Sequence, residues 1–419
     1  MMQSDHVSSS VDASGFRYVV GIDIGSQSCS LCVFKPDKSP VFKPSDFANT
    51  GGGFALLQEK LEQLAVPAQE VLIGLEATSR YGDNLYHFLQ SRGYQLCLLH
   101  PRQTHAFAQQ RGLRAKTDHL DATTIARLVL SGDARAGYVP NEQIATYREL
   151  VRVHTQLADQ AASYHNEIQA LVVVLFPEFT QVFAAPCGAT ALALLKSYPS
   201  AQAVAQAGVE PVLAKLHALA PRRYGRSTAQ RLVQLAQQSI SHGIAIAARS
   251  LSLKILCDQL AHTQTNLAQL QTEIDKLLED DHGAKGLRSV PEFGFKTVAV
   301  LRAELGDVSR FHRTDQVIAY AGLDLEVKES GKWKGQTKLS KRGSGRLRRI
   351  LYMAAVRSLS HKDSAFATYY QRLRARGMKG RQALMAVMRK MLAVAYRLLK
   401  TQQMYDPTKV CAAGGSTGG

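Results

Sequence analysis

The first 140 residues alternate between short apolar runs and apolar positions at wider spacing. RYVVGIDIG and CSLCVFKP read as buried strands, and SPVFKPSDFANT offers a third. In GGFALLQEKLEQLAV, Phe54, Leu57, Leu61 and Leu64 recur at helical spacing. EVLIGLEAT is again a strand, GDNLYHFLQSRG a helix stopped by glycine, and YQLCLLHP a strand closed by proline. KTDHLDATTIARLVLSG is a helix with Thr117 as N-cap and Gly132 as stop. Strands that come first and then alternate with helices predict an α/β sheet domain over residues 16–140, after a polar, disordered tail over 1–15.

Beyond residue 140 the pattern turns helical. IATYRELVRVHTQLADQAASYHNEIQALVVVLF predicts one long helix, and an Ala-rich insertion over 178–250 carries short helices broken at SYPS and APRRYG. Over 251–280, Leu253, Leu256, Leu260, Thr263, Leu267, Leu270, Ile274 and Leu277 fall at alternating spacings of three and four, a heptad seam. The seam fits a coiled coil between chains or an antiparallel pairing with the earlier long helix, and the pattern leaves both open. These segments make a helical region over 141–282. A mainly α C-terminal domain follows over 283–405, opening on LRSVPEFGFKTVAVLRAEL and ending in a helical stretch over 345–400. Residues 406–419 are expected to form a flexible tail.

Composition narrows the partner. The 419 residues carry a net charge of +17 and a pI near 9.6, which favours a polyanion. No run of 18 apolar residues and no signal peptide is present, so nucleic acid is favoured over membrane and the cytoplasm is the expected compartment. The six cysteines are scattered, as in a reducing compartment. Cys29 and Cys32 have the spacing of a zinc site, but on a strand they point to opposite faces and no second pair exists.

Four carboxylates in the first domain stand out. Asp23 lies inside an apolar strand, where a bare charge is costly unless paired, at the strand end or bound to a cation. Glu76 ends another strand. Asp118 and Asp121, three apart on a helix, share a face. Taken singly, each reads as a turn, strand-end or first-turn acid. Taken together, two can project from one sheet edge and two from one helix face. Such a group would repel itself unless hard divalent cations neutralise it, and Mg²⁺, alone or as a pair, suits phosphodiester chemistry.

The second candidate is the loop ESGKWKGQTKLSKRGSGRLRR over 329–349, with eight Lys or Arg and one acid. Lys332, Lys334, Lys338, Lys341, Arg342, Arg346, Arg348 and Arg349 can neutralise phosphates, and Trp333 can stack on a base or cover a small core. The last three arginines begin a helix, where the dipole disfavours positive charge, so a structural role is not expected of them. The residues alone do not choose among Ser330, Ser340 and Ser344 as a nucleophile. Ser340 and Ser344 also read as capping or turn residues.

GIDIG, LEATSRYG and HPRQTHAFAQQRGLRAKTDHLDA resemble, in order and spacing, the Asp-Glu-Asp-Asp domain of bacterial insertion-sequence transposases. That domain is RuvC-like, with a ribonuclease-H-like fold. LRSVPEFGFKTVAVLRAELGD, FHRTDQVIAYAGL, ESG, LSKRGSGRLRRILY and MKGRQALMAVMRK resemble the second domain of the same family, so the likeness runs from about 17 to 405. The resemblance implies a bridge-RNA-guided recombinase. An element-encoded non-coding guide RNA would pair with donor and target DNA, and the chain would act as a homo-oligomer, dimer or tetramer. It implies Asp23, Glu76, Asp118 and Asp121 as catalytic metal ligands and Ser330 as the nucleophile of a phosphoserine link. Two departures are visible. Glu292 stands in the VPEFGF turn where the family often has glycine, which argues against that turn as a DNA contact. The 178–250 insertion is longer than in compact members. Arg92, Arg102, Arg111, Arg114 and Lys116 fit RNA contacts and a solvated face equally.

Three rivals remain open to test. GIDIGSQSCSLCVF also looks like the first phosphate turn of the actin and sugar-kinase ATPases, but no second Asp-Gly loop or adenosine loop follows. A metal-dependent nuclease or junction resolvase would use the quartet with no covalent step. A non-catalytic RNA-binding protein would use the acids structurally.

Overall fold

The computed structural model describes residues 11–76, 80–112, 117–241, 243–326, 329–330, 333–334, 338–361 and 363–411, and of 80, 326, 329–330, 333–334, 338 and 411 the backbone alone. They fall into two compact units, one holding the residues up to 141 with 309–320, the other 142–308 with the residues from 321 on.

The first unit begins with three antiparallel strands, β1 (Tyr18–Ile24), β2 (Ser28–Phe34) and β3 (Pro40–Ala48). Helix α1 (Gly51–Glu62), capped by Thr50, leads to β4 (Val71–Glu76), and α2 (Asp83–Ser91) leads to β5 (Gln95–Leu99). β4 runs parallel to β1, and β5 parallel to β4, giving the order β3-β2-β1-β4-β5. That order, with three antiparallel strands followed by two parallel ones, is the ribonuclease-H-like sheet. Helices α3 (Pro101–Gln110) and α4 (Asp118–Leu130) follow. The pattern did not foretell α3, whose apolar positions are few. Its start is written locally, in Pro101 at the first position and a His100 side chain that accepts from the Arg102 amide.

Period-two alternation builds two cores on the two sheet faces. Val20, Ile22, Cys29, Leu31, Ile73 and Leu75 face α1 and α2. Val19, Cys32, Phe34 and Leu72 face α3 and α4. Cys29 and Cys32 therefore lie in different cores, as the strand parity predicts. On the second face α4 comes very close to the sheet. A Cβ at Gly21 would lie 2.1 Å from the Ala122 carbonyl oxygen, and one at Gly74 would lie 2.9 Å from a Val129 methyl. Two glycines on neighbouring strands thus make the trough in which α4 sits.

The second unit starts with α5 (Glu142–Leu175), followed by α6 (Ala189–Ser197), α7 (Ala201–Ala207), α8 (Val209–Leu219) and α9 (Arg226–Gln237). Next come α10 (Ile246–Asp280), α11 (His282–Arg288) and α12 (Phe295–Leu305). After α13 (Thr314–Tyr320), which belongs to the first unit, short strands β6 (Leu325–Glu326), β7 (Glu329–Ser330), β8 (Trp333–Lys334) and β9 (Lys338–Leu339) appear. The chain ends in α14 (Gly345–Ser358), α15 (Ala365–Ala375), α16 (Gly380–Thr401) and α17 (Thr408–Cys411). The stretch expected as one helical run over 345–400 is thus three helices. Ser364 caps α15, and Gly377, at φ +85°, closes it in the left-handed region.

α10 packs along α5, and its Leu253, Cys257 and Leu260 share a core with Ile168, Val172 and the insertion helices. Of the heptad seam, Leu253, Leu260, Thr263 and Ile274 are buried within the chain, whereas Leu256, Leu267, Leu270 and Leu277 are half-buried. The polar Thr263 fits because its hydroxyl donates to the Gln259 carbonyl at 2.7 Å. Among the described residues, no helix is long and apolar enough to cross a membrane.

Gly21→Ala is expected to destabilise the first unit by about 2 kcal/mol, read as an earlier transition in urea. Gly52→Ala, whose added methyl meets nothing within 4 Å, is expected not to lower it.

Candidate functional site: an acidic row under α4

Strand register places the acids. Asp23 pairs with Ser30, and Ser30 with Asp46, so these three residues lie in one row across β1, β2 and β3. Glu76 stands one step beyond the Ile22–Leu75 pair and extends the row onto β4. By alternation, all four lie on the face that α4 covers. The row sits at the carboxyl ends of the parallel strands β1 and β4, the usual ligand end of an open α/β sheet. Thr117 caps α4 by accepting from the Leu120 amide, and the first turn beyond it carries Asp118 and Asp121. Glu76 accepts a hydrogen bond from the buried Thr104 hydroxyl of α3.

Asp46 belongs to this neighbourhood, and the sequence reading missed it. Its Oδ1 accepts from the Ser30 hydroxyl and lies 2.8 Å from His119 Nε2. The signal was present as a β3 position in step with Ser30. Pro44 and the irregular register of β2 with β3 hid the parity.

The basic segment is a ribbon on a bracketed root. β6 pairs with β9 and β7 with β8, both antiparallel, and the inner pair sets Ser330 opposite Trp333. The side chains of Ser330, Trp333, Lys334 and Lys338, and all of Lys332, lie outside the described residues. At the root the polar groups have internal work. The Ser340 hydroxyl donates to the Asp324 carboxylate, whose residue also accepts from the Ser340 amide at 3.0 Å. The Ser344 hydroxyl caps α14 and donates to Glu304 of α12 at 2.9 Å.

Two of the three arginines at the start of α14, Arg348 and Arg349, also differ from the expectation. Arg348 donates to the carbonyls of Ala321 at 3.0 Å and Gly343 at 2.8 Å, and so ties the two turns of the root together. Arg349 makes a two-pronged pair with Asp159 of α5. Arg346 is half-exposed, 3.9 Å from Glu304. The dipole penalty is only about 0.3–1 kcal/mol, and charge-assisted hydrogen bonds outweigh it. Lys341 and Arg342 are exposed. Glu292 is 3 % exposed and accepts from the Ser364 hydroxyl, so its carboxylate holds the start of α15 rather than facing a phosphate. In the first unit, Arg92 and Arg111 lie over the rings of Phe88 and Phe107, Arg102 is exposed, and Arg114 and Lys116 lie outside the described residues.

Electrostatics single out Asp23. Burial pushes its carboxyl up to about 6, helped by the charges of Asp121, Asp118 and Glu76, against one hydrogen bond from the Ile24 amide. Among the described residues, no three His, Cys, Asp or Glu side chains stand at metal-ligand spacing. The four acids thus feel one another without closing a ligand shell. The folded chain holds the Asp23 proton more tightly than the unfolded chain, whose ordinary value is 3.8. The stability this contributes is complete below 3.8 and lost as pH rises through about 6. In EDTA at pH 7.5, Asp23→Asn is therefore expected to raise the melting temperature by about 3 °C. The gap should narrow below pH 6, as calorimetry would show.

Comparison with known proteins places the chain among transposases. The DEDD transposase domain model of IS110 matches residues 20–177, and the model described as Transposase IS116/IS110/IS902 family matches 284–371. An insertion element IS110 protein of Streptomyces coelicolor is 28% identical over 299 residues, covering 70% of this chain and 72% of its own. The pilin gene-inverting protein of Moraxella bovis is 22% identical over 392 residues, 92% and 97% of the two chains. The transposase of element IS1111A from Coxiella burnetii is 26% identical over 157 residues, 36% and 43% of the two. Between them the two family models match more than half of the sequence, and the chain belongs to the IS110/IS116 family of insertion-sequence transposases, enzymes that cleave and rejoin DNA.

Proposed function

We propose that this transposase is an RNA-guided DNA recombinase that joins donor and target DNA through a phosphoserine intermediate at Ser330, with Mg²⁺ held by Asp23, Glu76, Asp118 and Asp121. The observation that supports the acidic half is the row that sets Asp23 and Glu76 on one sheet face, with the charges of Asp121 and Asp118 also acting on Asp23. Their donors are all oxygen, the set a hard divalent cation prefers. Bound there, one or two Mg²⁺ would neutralise the developing charge on a phosphate and favour a deprotonated hydroxyl.

Ser330 is supported by its place and by the occupation of its rivals. Ser340 and Ser344 are committed to Asp324 and Glu304, whereas Ser330 stands in the inner pair of the ribbon. In the proposed step Ser330 Oγ loses its proton and bonds to a DNA phosphorus. The bond from that phosphorus to one deoxyribose oxygen breaks, that oxygen takes up a proton, and the strand stays on the protein as a phosphoserine ester. Attack by a hydroxyl of the other DNA reverses the step and joins the strands. A relative named for inverting a pilin gene favours cleavage coupled to rejoining over hydrolysis.

The charge of +17 suits a chain that holds DNA and a non-coding guide RNA together. Exposed Lys341 and Arg342, with the ribbon lysines and Trp333, are the proposed contacts. The half-buried seam positions of α10 are the proposed site of assembly into a dimer or tetramer.

The test uses the protein, its element's end RNA, Mg²⁺ and labelled donor and target DNA, quenched in denaturant. A protein–DNA adduct is expected with wild type and none with Ser330→Ala, which should still bind RNA. Cut DNA with no adduct in either would replace the proposal with a hydrolytic nuclease. An adduct in the variant would move the nucleophile elsewhere.

A further inference from the structure

α4 is anchored unevenly. Its apolar burial starts at Ala122 and continues through Ile125, Ala126 and Val129. The turn before that, which carries both acids, buries no apolar side chain, since Asp118, His119 and Leu120 are exposed and Asp121 is half-buried. Hydrophobic packing alone therefore leaves the first turn free to fray from the strand ends. A polar tie crosses at that point, from His119 to Asp46 at 2.8 Å.

The sheet side of the tie rests on a buried residue. Ser30 is 2 % exposed, on a central strand, and its hydroxyl donates to the same Asp46 oxygen that meets His119. Ser30 is also the register partner of Asp23. Burial and register leave Ser30 little freedom, so Asp46 is held in place from below. We infer that Asp46, seated by Ser30, is a positioning residue that clasps His119 and so fixes the Asp118–Asp121 turn over Asp23 and Glu76. Asp46 acts through His119 and not as a ligand. The hydrogen bonds from Ser30 and His119 also hold its carboxyl below the ordinary range, so it stays an acceptor under assay conditions. The inference rests on the reading of Asp23, Glu76, Asp118 and Asp121 as a cation site. It adds a residue outside that quartet, of a kind that orients ligands from behind.

The test measures two properties of the full chain without nucleic acid. Hydrogen exchange of the metal-free protein reads the opening of residues 117–124, and electron paramagnetic resonance reads Mn²⁺ binding. Asp46→Ala is expected to speed exchange in that segment, leave the α5 and α10 amides unchanged, and weaken Mn²⁺ about tenfold. Asp46→Asn keeps an acceptor for Ser30 and His119 and should stay close to wild type in both. Asp46→Ala combined with His119→Ala should be no worse than Asp46→Ala. If Asp46→Ala binds Mn²⁺ like wild type while Asp23→Ala does not, the clasp is wrong and the quartet stands. If Asp46→Asn is as weak as Asp46→Ala, the charge matters rather than the tie, and the inference is overturned. If wild type binds no Mn²⁺, the quartet reading fails, and the clasp with it.

Discussion

The first unit depends on how closely one helix approaches one sheet. Gly21 and Gly74 remove two side chains from adjacent strands, and the backbone of α4 fills the space. From that approach follow both the core of Val19, Leu72, Ile125 and Val129 and the location of the helix start. A helix lying one side chain higher would carry Asp118 and Asp121 away from Asp23. The cost of the arrangement falls on Asp23, where burial and the neighbouring carboxylates both disfavour the charged form.

The second unit solves a different problem, holding a ribbon rich in lysine in a defined place. It does so with groups that sequence reasoning would give to the substrate. Arg348 bonds two carbonyls at the ribbon root, Ser340 and Ser344 fasten its outgoing strand and the next helix, and Glu304 receives one of them. The same economy appears at Glu292, turned inward to hold Ser364. From Ser364 to Tyr405 the chain has nine Lys or Arg and no Asp or Glu. A field of that sign serves association with nucleic acid rather than folding.

Much of this was legible from residue order alone. Strand parity separated Cys29 from Cys32, helical spacing found α1, α4 and α5, and Thr117 marked the start of α4. These features are local: a strand's period, a cap's reach and a helix's stripe are each complete within a few residues. The four acids were legible as a group because each lies at the end of such an element. So was the family, through motifs that span both units.

Tertiary structure decided what those elements do to one another. Asp46 joined the row only through the register of β3 on β2, set by pairing partners sixteen residues apart. Arg349 took a partner 190 residues away, and no spacing in the sequence announces Asp159. The heptad seam was certain as a pattern, but whether α5 or a second chain covers each position depends on packing, and α5 takes some positions and leaves others half open. Residue order was enough for most of the strands and helices, though not for α3 or the breaks between α14, α15 and α16, because short-range sterics and periodic burial act within each segment. Which serine caps, which arginine braces and which carboxylate clasps is fixed only when distant segments meet, because a hydrogen bond needs both of its ends in place.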